Sequence, residues 1–112
     1  DILTSQTDPD LVVFEMDLFW AEEAGYDATF YFLKYPGRYP MLHVKDRSGA
    51  GQMVDVGRGY INFAELFSYA SKAGFRHYFI EHDNPSDGVN SISYSYNSLR
   101  DLRFNSTYEL PY

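Results

Sequence analysis

The sequence predicts an α/β fold in which three consecutive strand–helix units lay down a parallel sheet, and three observations carry that expectation. Short apolar runs over residues 11–18, 40–46 and 76–82 are rich in β-branched and aromatic residues and too brief for typical helices. Each is followed by a segment with helical capping or periodicity, over 27–35, 62–73 and 90–103. The length of 112 residues is that of one domain. Strands alternating with helices in this way pair in parallel through right-handed crossovers. A small open α/β sandwich is the alternative arrangement of the same elements.

Residues 1–8 read as the end of an element that begins upstream, closed by a turn at Asp8, Pro9 and Asp10. The first strand follows. Successive side chains of a strand point to opposite faces, so Val13, Glu15 and Asp17 share one face and Val12, Phe14 and Met16 the other. Two carboxylates on one face of an apolar strand are anomalous. Asp27 is placed to cap the first helix, and Pro36 with Gly37 ends it. The second strand puts Met41, His43 and Lys45 on one face, with Leu42 and Val44 opposite. Residues 47–60 carry Gly49, Gly51, Gly57 and Gly59 and read as a long polar loop, of a length usually associated with function.

Asn62 with Glu65 forms a capping box for the second helix, whose stripe is Phe63, Leu66, Phe67 and Ala70, and Gly74 ends it. The third strand divides His77, Phe79, Glu81 and Asp83 from Tyr78, Ile80 and His82. Asn90 is the expected cap of the last helix, with Ile92, Tyr96 and Leu99, and either Leu102 or Arg103, bordering its buried face. The tail, 105–112, shows no period.

Composition limits the function. Nine Lys and Arg stand against sixteen Asp and Glu, a net charge of -7 without a basic cluster, which argues against nucleic acid as a partner. No stretch approaches the about 20 apolar residues of a membrane span, and with no targeting signal the cytoplasm is the default compartment. Cysteine is absent, so any metal is held by oxygen and imidazole. A complete eight-stranded α/β barrel takes about 250 residues. The start at Asp1 rather than Met reads as a piece of a longer chain.

Each strand delivers one metal-ligand type near its C-terminal end: Asp17, His43 and Glu81, each one strand–helix unit after the last. The carboxyl ends of parallel strands gather on one edge, where α/β proteins build their sites. This mixed set suits Mn, Mg, Co or Zn. Singly, each residue has a plainer reading: Asp17 as a cap of the following loop, His43 as a core histidine. Glu81 is harder to set aside, because a glutamate after an apolar run is rarely buried without a partner. Glu15, one pleat deeper, reads as an ion-pair partner of Lys45 or another base. His77 reads as core or bottom-of-barrel packing, and His82 faces away from Glu81.

Around the three lie candidate substrate contacts. Trp20 either stacks on the apolar face of a sugar or covers the core. Lys45 either neutralises an oxyanion or pairs with Glu15. Asp46 and Arg47 extend the strand into its loop, where Arg47 and Arg58 either bind an anionic or polyol group or are simply solvated. Gly57, Arg58 and Gly59 precede a helix but lack the spacing of a nucleotide motif.

Four blocks carry a resemblance: residues 14–20 (FEMDLFW), 35–46 (YPGRYPMLHVKD), 56–63 (VGRGYINF) and 78–81 (YFIE). In this order, over nearly the whole chain, they resemble the last three βα units of the sugar phosphate isomerase/epimerase family, the xylose-isomerase-like barrels. The resemblance implies the C-terminal part of a (β/α)8 TIM barrel in which Glu, Asp, His and Glu from four strands hold a divalent metal ion. The family's Asp falls on Asp17, its His on His43 and its final Glu on Glu81, and its first Glu falls upstream of Asp1. It further implies a carbohydrate substrate whose carbonyl the metal polarises while a carboxylate removes the adjacent proton. Glu81 would be both ligand and one of two acid/base carboxylates, the other being upstream. The 112 residues alone are therefore expected to be inactive.

Two other readings compete. A noncatalytic domain could pair with a second copy of itself through exposed sheet edges, since an open parallel sheet leaves edge groups and an apolar face uncovered. An apurinic-site nuclease would share the barrel, but the acidic charge opposes it.

Overall fold

The computed structural model describes residues 1–104, so the tail 105–112 lies outside the described residues. In chain order the elements are α1 (Ile2–Ser5), β1 (Glu15–Asp17), α2 (Leu18–Glu23), α3 (Ala28–Lys34), β2 (Met41–Val44), β3 (Asp46–Arg47), β4 (Met53–Val54), α4 (Phe63–Ser68), α5 (Ala70–Ala73), β5 (His77–Ile80) and α6 (Gly88–Arg100). Strands β1, β2 and β5 form the expected parallel sheet with β2 at its centre.

Alternation along β2 sets the layers. Leu42 and Val44 have no exposed surface and join Phe32, Phe63, Phe67, Val56 and Ala73 in the core. Met41 and His43, on the other face, stay partly exposed. Register places Glu15 beside Met41 and Asp17 beside His43, and on the other side His43 beside Phe79. Glu81 comes one pleat later, where its N–H donates to the Val44 carbonyl at 3.1 Å. The acidic and imidazole side chains thus share the open face at one end of the sheet.

Several sequence expectations are corrected. The strand expected over 11–18 is confined to Glu15–Asp17. The Asp8 carbonyl accepts from Leu11 and Val12, and the buried Arg38 guanidinium takes the carbonyls of Val12 and Thr4 at 3.0 Å and the Thr7 hydroxyl at 2.7 Å. With its backbone groups met this way, the segment has less need of a ladder partner. Leu18 opens the unforeseen α2, because Asp17 caps it by accepting from the Trp20 N–H at 3.0 Å.

The loop expected over 47–60 instead forms, together with Asp46, the antiparallel β3–β4 hairpin. The helix expected over 62–73 is two, parted at Tyr69. There the Ser68 hydroxyl takes the Glu65 carbonyl at 2.6 Å while the Tyr69 N–H turns to Leu66 at 3.2 Å. Asn62 and Gly74 cap the pair as expected: Asn62 accepts from the Glu65 N–H, and Gly74 adopts φ 89°.

The last helix begins at Gly88, capped by Asp87 rather than Asn90, and Asn90 donates to both carboxylate oxygens of that cap. Its buried residues are Ser91 and Ser95; Ile92 and Tyr96 are exposed, while Leu99 and Leu102 pack on the core. Serines suit this face because α6 lies close to the loop after β4: Ser95 accepts from the Val56 N–H at 3.0 Å, and a Cβ on Gly57 (φ 96°) would fall 2.6 Å from the Ser98 hydroxyl. Of the two settings expected for His77, the core is ruled out: it lies exposed at the start of β5.

Asp46, directly after Lys45, is 1% exposed, and its carboxylate accepts from the amides of Arg47, Gly57, Gly59 and Ile61 at 2.8–3.2 Å. One side chain thereby gathers the 57–61 loop onto the end of β2. Replacing Asp46 with Ala strands those four donors. It is expected to lower unfolding free energy by about 3 kcal/mol or more, measured as a fall in the urea midpoint.

Candidate functional site

Asp17 divides its two oxygens between tasks. Oδ1 caps α2, while Oδ2 lies 3.3 Å from His43 Nδ1 and 3.0 Å from Lys45 Nζ. The capping bond therefore orients the carboxylate that faces the site. His43 is ringed by acids: Nδ1 also lies 3.4 Å from Glu81 Oε2, and Nε2 lies 3.1 Å from Glu15 Oε1.

The Lys45 side chain, 6% exposed, reaches Asp83 Oδ1 at 2.8 Å, Asp17 Oδ2 at 3.0 Å and Glu81 Oε2 at 3.1 Å. Burial pushes its ammonium towards neutrality, but the bonds to Asp83, Asp17 and Glu81 outweigh this and hold its pKa above the ordinary lysine value. The expected Lys45–Glu15 pair does not form. Lys45 lies one pleat beyond His43, level with Glu81 and one pleat short of Asp83, whereas Glu15 lies one pleat short of Asp17 and meets the far edge of the imidazole.

Asp17, His43 and Glu81 each turn a ligand atom to the others within 4.8 Å. The spacing can be tested against coordination geometry. Two atoms each about 2.1 Å from one metal, at tetrahedral or octahedral angles, are separated by about 3.0–3.4 Å. Nδ1 lies 3.3 and 3.4 Å from the two carboxylate oxygens, the spacing of donors that share a divalent ion, and all three ligand atoms lie within 4.8 Å of one another. Charge agrees, since Asp17, Glu81 and Asp83 converge on the single Lys45 ammonium while Glu15 lies against His43. Oxygen and imidazole donors suit a hard or borderline metal.

The expected substrate contacts divide. Trp20, 52% exposed, lines a cleft of about 730 Å³ with Glu15, Asp17, Phe14 and Tyr26. Lys45 lies among the acids. Asp46 is spent on backbone amides and is turned away from the open face, and Arg47 is committed to Glu23 at 2.7 Å and the Tyr60 hydroxyl at 3.1 Å. These two build the surrounding loops. Arg58 stacks 4.0 Å over the Tyr94 ring.

Two features escaped the sequence reading. Asp83 continues the Glu81 face by simple alternation and was legible as a partner for Lys45. The other is a polar knot behind the sheet: His82, facing away as expected, meets Asp55 at 3.1 Å and Ser91 at 3.3 Å, and Ser91 also donates to Asp55. No local motif announces it, because its members come from three separate elements.

Three parallel βα units with acids and an imidazole at the strand ends define part of a TIM-barrel-like isomerase/epimerase fold. No family model and no curated protein matches the chain. Solved structures do. A sugar phosphate isomerase/epimerase from Parabacteroides distasonis superposes on 91% of this chain with a TM-score of 0.75 and 30% identical residues. A second from that organism covers 86%, with a TM-score of 0.70 and 31% identity. In fold and in sequence the chain is similar to sugar phosphate isomerase/epimerases, and it spans about a third of their length, 36% and 33% respectively. Among the described residues no helix is long and apolar enough to cross a membrane.

The polar knot has a pH signature. The Ser91 hydroxyl holds the Asp55 carboxyl below the usual range; burial works the other way, and His82 adds to the lowering. A depressed folded pKa contributes stability above the unfolded value of about 3.9, and that stability is lost as pH falls through the folded value. Ser91→Ala is therefore expected to cost about 1.5 kcal/mol at pH 7. The difference from the parent should shrink below about pH 4, read from urea midpoints at pH 7 and pH 3.

Proposed function

We propose that this chain supplies the last three βα units of a metal-dependent isomerase or epimerase acting on a sugar or sugar phosphate, with Asp17, His43 and Glu81 as metal ligands. The observation that carries this reading is the convergence of Asp17 Oδ2, His43 Nδ1 and Glu81 Oε2 at the carboxyl ends of three parallel strands. The names of the similar solved proteins support the reaction class.

The divalent ion, when bound, supplies Lewis-acid polarisation of a substrate carbonyl. Glu81 is the carboxylate that takes a proton from the carbon beside that carbonyl; for isomerisation it returns the proton to the neighbouring carbon, and for epimerisation a second carboxylate delivers a proton to the opposite face. Lys45 keeps a fixed positive charge 3.1 Å from Glu81, placed to offset negative charge developing on the substrate oxygen. Trp20 offers the half-exposed aromatic wall on which a sugar ring stacks. The partner carboxylate for proton transfer is the one that the family resemblance implies upstream of Asp1.

Calorimetric titration with Mn²⁺ or Co²⁺ tests the reading. Binding is expected, and Glu81→Gln should weaken it at least about tenfold, as loss of a charged ligand exceeds the effect of an outer-shell change. No uptake, either by this chain or by the protein extended upstream, would falsify it.

A second reading, self-association, has its own support. Among the described residues strands β1 and β5 each pair on one side only, and Ile2, Leu3 and Leu11 towards the N-terminus, with Val89 and Ile92 on α6, are exposed. Sedimentation of the chain should show a mass that rises with concentration. A single monomeric species at high concentration would rule this reading out.

A further inference from the structure

We infer that Glu15 is a positioning residue for His43, holding the imidazole so that Nδ1 is presented to Asp17 and Glu81. The inference rests on the proposed ligand set and concerns a residue outside it. A metal-binding imidazole uses the lone pair of one nitrogen, so its proton sits on the other, which needs an acceptor. Glu15 Oε1 lies 3.1 Å from Nε2, on the ring edge opposite the two carboxylates that face Nδ1 at 3.3 and 3.4 Å.

The backbone explains why Glu15 can do this and Asp17 cannot. Glu15 precedes Asp17 by one pleat on the same face, paired in register with Met41, so its longer side chain approaches the ring from the near end of the strands. The other neighbours of the ring do not fix its orientation. Phe79 stands edge-on to it with centroids 6.3 Å apart and offers no acceptor, while Lys45 is engaged by Asp17, Glu81 and Asp83. A half-turn of the imidazole would bring ring carbons to both groups of carboxylates, and the Glu15 bond opposes it.

Two variants separate the acceptor from its charge. Glu15→Gln keeps a carbonyl that accepts the Nε2 proton, and Glu15→Leu keeps the approximate bulk without an acceptor. The first measurement needs no metal: long-range ¹H–¹⁵N spectra of the labelled chain should show a slowly exchanging Nε2 proton on His43 in the parent and in Glu15→Gln, and its loss in Glu15→Leu. The second is Co²⁺ titration, in which Glu15→Leu should bind about 10- to 100-fold more weakly and Glu15→Gln should recover most of the difference. Far-ultraviolet circular dichroism checks folding, with Glu15→Ala as the substitute should the leucine disturb the fold.

An Nε2 proton equally protected in Glu15→Leu overturns the inference, as does Co²⁺ binding unchanged from the parent. If the parent itself takes up no Co²⁺, the ligand-set reading fails, while the metal-free spectra still decide whether Glu15 holds the ring.

Discussion

Like charges at the ends of the two strands that flank β2 repel, and the Lys45 ammonium is what lets them converge. Two unit charges about 4 Å apart interact with about 4 kcal/mol at an effective dielectric of 20, a sizeable share of a small domain's stability. Lys45 lies 2.8–3.1 Å from Asp83, Asp17 and Glu81, drawing together side chains from the ends of β1 and β5 around the central strand. Such a cluster, with more negative than positive charge, is poised for a further cation. Stability and chemistry draw on the same imbalance: the excess acid that strains the fold is the feature that would attract a metal.

The placement of Lys45 depends on β2. Alternation sends Leu42 and Val44 into the core and His43 to the open face, so the buried pair anchors the backbone from which the reactive residues project. Asp46 then stops the strand from fraying by binding the 57–61 loop through four amides. Behind the sheet the Asp55, His82 and Ser91 knot ties that same loop region to the residue after Glu81 and to α6. Site residues on β2 and at the end of β5 are thus held from the side away from the open face.

The parallel sheet was legible because its evidence is periodic and local. Apolar alternation assigned Asp17, His43 and Glu81 to one face, and the caps at Asp27, Asn62 and Gly74 are short-range rules that tertiary contacts did not override. What was hidden came from distant partners. Leu11 and Val12 have a strand's composition, yet Asp8 and Arg38 capture the backbone around them. Ile92 and Tyr96 look like a core stripe, but the close approach of the loop at Gly57 favours serines on the buried face of α6. Lys45 and Glu15 were separable only by knowing which pleat of one strand stands level with which pleat of the next, information that register supplies and composition does not.

The serine face of α6 changes how that helix is attached. Ser91 and Ser95 are its buried residues, and they meet Asp55 and the Val56 N–H through hydrogen bonds. Opening the hydrogen bonds of such a seam uncovers polar groups, so it should contribute little to the heat capacity of unfolding, which rises with newly exposed apolar surface. In that sense α6 is latched to the loop behind the site by directional bonds and held elsewhere by Leu99 and Leu102. Its first turns are thus suited to opening in a step separate from the collapse of the core.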